Sequence, residues 1–160
     1  MRGEAIGPEH QAEMEALLGD PRVGRTLAGP FTAEQVAAQI AAHAAHWEHH
    51  GYGYWLFRDR ESGETVGRGG LGATAVGGPG GTEVGWAVAA DLWGRGYATE
   101  QGAAAIGVAF DVLRLPEVVT YTMVGNAASR RVMEKLGFEY QREVVHADLP
   151  HVLYRLQSWD

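Results

Sequence analysis

The chain has 160 residues and a mass of 17.2 kDa, a length that favours one domain with a hydrophobic core of its own. Hydrophobic residues make up 46% and charged residues 21% of a sequence without cysteine, which excludes disulfides, thiolate metal sites and a wholly disordered chain. The formal net charge of −7 argues against a nucleic-acid partner and suits either a cationic partner, such as an amine, or simple solubility.

The N-terminus lacks the apolar segment of a signal peptide, and no apolar run approaches the roughly 20 residues that span a bilayer. We therefore expect a cytoplasmic protein without a membrane partner, which agrees with the cysteine-free composition. The sequence carries no signal for the oligomeric state, so a monomer and a homodimer both remain open.

Hydrophobic periodicity and turn residues predict alternating helices and strands. In chain order we expect a loose segment over 1–8, helices over 9–18 and from Thr32 to Gly51, strands over 54–57, 65–75 and 82–89, a helix over 96–112, a strand over 118–124, a helix from Asn126 to Gly137, and strands over 139–146 and 151–157. Thr32 and Gln35 form a capping-box pattern at the second helix. This order predicts a mixed α/β sheet with helices on both faces.

A glycine-rich junction links the strand over 82–89 to the helix over 96–112. The first N–H groups of a helix have no intrahelical partner and carry partial positive charge. Gly94, Gly96 and Ala98 lack bulk, so an anion can approach the main chain closely, and Arg95 adds a formal charge. The junction therefore predicts a phosphate or diphosphate site. The alternative is a tight turn whose small residues serve only helix–strand packing.

A second glycine motif lies upstream. The segment Gly67–Gly72 matches G-x-G-x-x-G literally, but a dinucleotide site needs that motif to open a helix. Here the residues that follow Gly72 continue as a strand, and position 87 is alanine. We therefore do not expect a dinucleotide fold.

Four motifs in order resemble the GNAT superfamily of acetyl-CoA-dependent N-acetyltransferases, and within it the RimJ/RimL-like branch. They are Glu83-Val84-Gly85-Trp86, Trp93-Gly94-Arg95-Gly96-Tyr97-Ala98-Thr99-Glu100, Asn126-Ala127-Ala128-Ser129-Arg130-Arg131-Val132 and Glu134-Lys135-Leu136-Gly137-Phe138. The resemblance implies a splayed mixed sheet of about six strands, in which the strands over 82–89 and 118–124 part to admit the cofactor. This branch normally opens with a strand, and residues 1–8 lack its pattern.

The resemblance also implies which residues bind acetyl-CoA. The main chain of Val88 matches the position that pairs with the pantetheine arm. The expected cofactor-binding residues are Val88, Trp93, Gly94, Arg95, Gly96, Tyr97, Ala98, Thr99, Asn126, Ser129 and Arg130. Arg130 and the adjacent Arg131 could reach cofactor phosphate, and an exposed helix face is an equal alternative for both.

Amide formation requires a neutral amine, an oxyanion donor and a proton donor for the thiolate. We expect the Val88 N–H to be the oxyanion donor and Ser129 to hydrogen-bond the sulfur, because the family's frequent tyrosine is Met133 here. Local bonding at a helix end is the alternative for Ser129. Glu83 is the expected base. The alternatives are that Glu83 is only a surface charge, or that a water relay serves in place of a single base.

Aromatic residues and histidines precede the glycine-rich strand. The resemblance places the second helix and the strand after it beside the acceptor groove, so we expect His50, Tyr54 and Trp55 to line that groove. The alternatives are plain core packing for the two aromatic residues and a solvent-facing or packing position for His50. His43, His46 and His50 share one helix face, but their spacing is not that of a zinc motif, and we expect no metal. The resemblance implies an N-acetyltransferase acting on a protein N-terminus or a small amine. A catalytically silent acyl-CoA-binding module is the alternative.

Overall fold

Within residues 1–159, which the computed structural model describes, seven strands form one mixed sheet. They are β1 (Arg2–Ala5), β2 (Tyr54–Arg58), β3 (Thr65–Thr74), β4 (Gly81–Val88), β5 (Glu117–Met123), β6 (Glu139–His146) and β7 (Leu149–Gln157). Their order across the sheet is β1-β2-β3-β4-β5-β7-β6. The predicted fold class, a mixed sheet with helices on both faces, is confirmed.

The sheet parts between β4 and β5. This is the one parallel pair among the described strands, and a single register pair, Glu83 with Val119, joins it. The Thr120 hydroxyl adds a hydrogen bond to the Val84 carbonyl oxygen at 2.9 Å. Beyond these contacts the two strands diverge toward their carboxyl ends, so the expected splay is present.

Five α-helices in the described part of the chain cover the sheet: α1 (Gln11–Leu18), α2 (Pro21–Gly24), α3 (Ala33–His50), α4 (Tyr97–Gly107) and α5 (Ala127–Lys135). The predicted capping box holds the start of α3, since the Gln35 N–H donates to the Thr32 hydroxyl and the Thr32 N–H to the Gln35 side chain. Gly51 ends α3 in the left-handed conformation. The helix predicted over 96–112 is α4 followed by a π-helical turn, Val108–Val112.

Two hydrophobic cores lie on opposite faces of the sheet. On one face, Met14, Leu18 and Val36 of α1 and α3 pack with Leu56 of β2. On the other, Ile106 of α4 and Met133 of α5 pack with β-strand residues such as Leu71. Because side chains alternate along β4, Val84 joins the second core while Glu83 points to the α1–α3 face.

The N-terminal segment corrects the prediction of a loose stretch over residues 1–8. Residues Arg2–Ala5 form β1, which pairs antiparallel with β2 and raises the strand number from about six to seven. This strand is short and has no hydrophobic alternation, so its sequence gives no strand signal. Main-chain pairing, the buried Ile6 and an ion pair from Arg58 to Glu4 at 3.0 Å stabilise it instead.

The literal G-x-G-x-x-G segment lies inside β3, as expected, and no helix follows it directly. Its glycines allow close packing: a Cβ at Gly67 would overlap the Ala87 carbonyl oxygen, and one at Gly69 would crowd the Gly85 carbonyl oxygen. Among residues 1–159, no helix has the length and apolarity needed to cross a membrane.

Candidate active site

The N-terminus of α4 opens into a cleft of about 470 Å³. Gly94 and Gly96 have φ angles of 78° and 84°, and a Cβ at either would project into open space. The N–H groups of Tyr97, Ala98 and Thr99 belong to the first turn of α4, where helical N–H groups have no intrahelical acceptor. The predicted junction therefore forms an open cradle suited to an anion.

Positive side chains on α5 face the same cleft. Arg131 and Lys135 are among its lining residues. Arg130 lies elsewhere: its guanidinium donates to the Tyr154 hydroxyl oxygen at 3.2 Å and to the Val124 carbonyl oxygen at 3.1 Å. Arg95 is exposed beside the cleft and does not line it. The cationic side chains that line the cleft thus come from α5.

The main chain of Val88 faces the gap between β4 and β5. The Ala89 N–H donates to the Val66 carbonyl oxygen at 2.8 Å, and bonded and non-bonded pairs alternate along an antiparallel ladder. Val88, opposite Gly67, is therefore in a non-bonded pair, and its N–H points away from β3. Its carbonyl oxygen accepts the Trp93 indole N–H at 2.9 Å, which ties the junction to the end of β4.

Asn126 caps α5 at the other side of the gap. Its side-chain oxygen accepts the Ser129 N–H at 3.3 Å, and its side-chain NH₂ donates to the Thr122 hydroxyl at 3.0 Å and the Ser129 hydroxyl at 3.2 Å. The Ser129 hydroxyl is an acceptor in this last bond. Its own hydrogen is therefore available to another acceptor in the cavity.

A second cavity, of about 220 Å³, lies on the α1–α3 side of the gap. Glu83 lines it, and the Tyr54 hydroxyl donates to Oε1 of Glu83 at 3.2 Å. Burial, together with the charge of Glu83, raises the pKa of Tyr54, and the same two causes raise the pKa of Tyr121, another lining residue. Both phenols stay protonated at neutral pH and can donate to a carboxylate.

The cavity is also lined by Arg68, Tyr121, His146 and His151, which were not among the site residues expected from the sequence. His151 is buried, and its Nδ1 donates to the Leu149 carbonyl oxygen at 2.9 Å. His151 reaches the cavity through its register with Met123 of β5. Such a pairing between distant segments leaves no signal in the local sequence.

Of the three residues expected in the acceptor groove, Tyr54 alone lines this cavity. Trp55 packs between Trp47 and Phe57. His50 is exposed at the end of α3, with its ring 4.3 Å from that of His46. The Ala73 N–H donates to Nε2 of His46, whose Nδ1 donates to the Tyr52 carbonyl oxygen. The described residues contain no group of three or more potential metal ligands.

The two cavities meet where the strands part. Trp86, Asn126 and Ser129 line both of them. A ligand held by the α4 N-terminus on one side can therefore reach a second ligand beside Glu83 on the other. The splayed sheet thus has an anion cradle on one side of the gap and a polar cavity on the other, an arrangement in which two bound ligands can meet.

The family is established by comparison. The profile described as "Acetyltransferase (GNAT) domain" matches residues 4–139, which is most of the chain. The protein therefore belongs to the GNAT acetyltransferase family. The enzyme class expected from the sequence, an acetyl-CoA-dependent N-acetyltransferase, is confirmed at the level of the family.

Individual proteins are similar to this chain in sequence or in fold. The uncharacterized protein YkkB of Bacillus subtilis (strain 168) is 26% identical over 144 residues, which cover 90% of this chain and 84% of YkkB. An acetyltransferase from Agrobacterium tumefaciens str. C58 is 27% identical, with a TM-score of 0.76 over 94% of this chain and 84% of that one. The aminoglycoside acetyltransferase AAC(6')-Ib, solved with coenzyme A, has the same fold, with a TM-score of 0.80 at 20% identity over 97% and 93% of the two chains.

Proposed function

We propose that the protein transfers the acetyl group of acetyl-CoA to a primary amine, with both substrates bound at once, and that the whole chain serves this activity as one domain. The observation that carries the proposal is the meeting of the two cavities at Trp86, Asn126 and Ser129. The sequence motifs support membership of the RimJ/RimL-like branch. The likeness to AAC(6')-Ib, an aminoglycoside acetyltransferase, supports an amine acceptor here. A cytoplasmic location stays a prediction.

The cradle at α4 fits the diphosphate of coenzyme A. We assign cofactor binding to Trp93, Gly94, Gly96, Tyr97, Ala98 and Thr99 around the cradle, and to Val88, Asn126 and Ser129 along the gap, because these residues line the larger cleft. Arg95 and Arg130 remain predicted contacts. Arg131 and Lys135 are better placed to meet phosphate. Acetyl-CoA, when bound, supplies an acyl group activated as a thioester.

Glu83 is proposed as the group that accepts the amine proton. An α-amine has a pKa of about 8 and a lysine amine of about 10.4, so most of either is protonated at neutral pH. Glu83 lines the smaller cavity, which we propose as the acceptor cavity, and the Tyr54 hydroxyl donates a hydrogen bond to its carboxylate. It can take a proton from the ammonium group directly or through one water, which leaves the nitrogen lone pair free to form the new C–N bond.

Val88 and Ser129 are proposed to act on the thioester, whereas Glu83 acts on the amine. The Val88 N–H points into the gap, where it can donate to the carbonyl oxygen as negative charge develops there. The C–S bond breaks as the amide forms, and the leaving sulfur takes up the proton that the attacking nitrogen gives up. The Ser129 hydroxyl can donate to that sulfur. The balance is one amine and one acetyl thioester converted to one acetamide and one thiol.

The proposed function is tested by thiol release from acetyl-CoA against a panel of primary amines. We expect turnover with some of these amines. Glu83→Gln should lower kcat/KM about 100-fold, since general-base catalysis contributes on that order, and Ser129→Ala about 10-fold. Glu61→Gln, the same change at an exposed turn residue, is the matched control. Full activity in both site variants would contradict the residue roles but not the class of reaction.

A catalytically silent acyl-CoA-binding module is the alternative. Met133, at the position where many relatives are expected to carry a tyrosine, is buried and cannot donate a proton to a thiolate. Calorimetric binding of acetyl-CoA without thiol release across a wide amine panel would favour this alternative over the enzyme.

A further inference from the structure

Arg68 lies in the acceptor cavity without an anionic partner. Its register with Ala87 puts it on the same face of the sheet as Glu83, and both residues line the cavity. Among residues 1–159, no carboxylate lies within 4.0 Å of its guanidinium, and its Nε is shielded from solvent without a hydrogen-bond partner. By contrast, Arg58 and Arg22 both form ion pairs with carboxylates.

The position of Arg68 is unusual in an acidic chain. The sequence holds 20 acidic residues against 13 lysines and arginines, so carboxylate partners are plentiful. The guanidinium instead lies 5.2 Å from the centroid of the Tyr54 ring, and its charge contributes to the lowered pKa of His43. A partly buried guanidinium without a counter-ion is costly. A bound anion would offset that cost.

We infer that the amine acceptor also carries a carboxylate, and that Arg68 binds it while the amine lies toward Glu83. This inference rests on the proposed function and names the class of its acceptor: a small amino acid. A guanidinium fork matches a carboxylate bidentately, which makes arginine well suited to this task. Tyr54 lies between the two groups, bonded to Glu83 and beneath Arg68.

The size of the cavity favours a small acceptor. Its volume of about 220 Å³ is below the roughly 300–1,000 Å³ of sites that enclose drug-sized ligands. The cavity also holds one carboxylate, that of Glu83, and one guanidinium, which together complement a zwitterion. A free amino acid supplies both charges on one small molecule. A peptide N-terminus supplies the amine but places its α-carboxylate in an amide bond.

The test measures kcat/KM for α-amino acids, β-alanine and γ-aminobutyrate, each against its own carboxamide. We expect at least one acid to exceed its carboxamide by at least 10-fold. Arg68→Gln should lower kcat/KM for that acid about 10- to 100-fold and should lower kcat/KM for the carboxamide by a much smaller factor. Arg68→Lys, which keeps the charge without the fork, should lose less. Arg142→Gln, the same change at an exposed position on β6, should keep the preference for the acid.

Several results would overturn the inference. They are equal rates for acids and carboxamides, an equal loss on both in Arg68→Gln, a higher KM for acetyl-CoA in that variant, or a preference for peptide N-termini. Thermal unfolding and acetyl-CoA binding establish that each variant is folded.

A binding measurement distinguishes the failure of this inference from the failure of the proposed function. Calorimetry compares N-acetyl amino acids with their carboxamides, in the presence of coenzyme A, on the wild type and on Arg68→Gln. If no amine is turned over but the acids bind with dependence on Arg68, transfer is wrong and the anion subsite stands. If amines are acetylated without preference for a carboxylate, the subsite is wrong and the transfer stands.

Discussion

At some positions of β3 only glycine fits, because backbone atoms of the neighbouring strand leave no room for a Cβ. We expect Gly67→Ala to lower the free energy of unfolding by about 2–3 kcal/mol, because the new Cβ would overlap the backbone oxygen of Ala87. Gly107→Ala is the matched control: Gly107 is helical with open space at its Cβ, so this change should raise stability by about 0.5–1 kcal/mol. Urea denaturation measures both. Equal effects would contradict the packing described for β3.

His43 couples stability to pH. Its ring stacks on Tyr54 with centroids 4.7 Å apart, and burial, aided by the charge of Arg68, lowers its pKa from 6.5 to about 4. Between these values the unfolded chain binds a proton that the folded protein does not. Stability is therefore lost as the pH falls from about 6.5 to 4, by an amount on the order of 2–3 kcal/mol.

The variant His43→Phe tests this coupling, because it keeps an aromatic ring against Tyr54 without the titration. Urea midpoints are compared for both proteins at pH 7.5 and pH 5. The variant should lose less stability than the wild type on acidification, and parallel losses would show that His43 does not contribute.

At the scale of elements, Arg58 joins β1, α1 and β2. Its guanidinium bonds Glu4 at 3.0 Å and Glu13 of α1 at 2.8 Å, while the Thr65 hydroxyl also donates to Glu13. The hydrogen bonds from Arg58 hold the pKa of both carboxyl groups below 4.5. Their contribution to stability is thus present above pH 4.5 and lost as the pH falls through the lowered values.

We expect Arg58→Gln to lower the free energy of unfolding at pH 7 by about 1–2 kcal/mol. The difference in the free energy of unfolding between the variant and the wild type should become smaller below about pH 4.5, where the carboxylates take up protons. Chemical denaturation across this pH range provides the measurement, and a difference that stays constant would contradict the ionic role of Arg58.

Elements with strong local signals were predictable from the sequence. The capping residues Thr32 and Gln35 predict the start of α3, and Gly51 predicts its end. The alternation of residues 82–88 predicts β4. β1 was not predictable, because its four residues gain stability from main-chain pairing with β2, fifty or more positions away. The π-helical turn after α4 likewise has no distinct local pattern.

At the scale of the whole molecule, the two halves of the site differ in how far sequence determines them. The anion cradle is built by consecutive residues around Gly94 and Gly96, so a single motif predicts it. The cavity beside Glu83 is instead lined by residues from four different strands: Arg68 from β3, Glu83 from β4, Tyr121 from β5 and His151 from β7. Those side chains converge only through strand register, and the sequence therefore identified Glu83 and Tyr54 but not the others.

The single register pair between β4 and β5 has a consequence for how the protein responds to its ligands. Residues 2–88 supply four neighbouring strands, residues 117–157 supply the other three, and few main-chain bonds join the two groups. A molecule that fills the cleft contacts β4 on one side of the gap and Asn126 with α5 on the other, and so acts as a clamp across the gap. By mass action, such a clamp at 100 times its Kd adds about 2.7 kcal/mol to the folded state. Ligand occupancy of the cleft and the stability of the sheet are therefore linked.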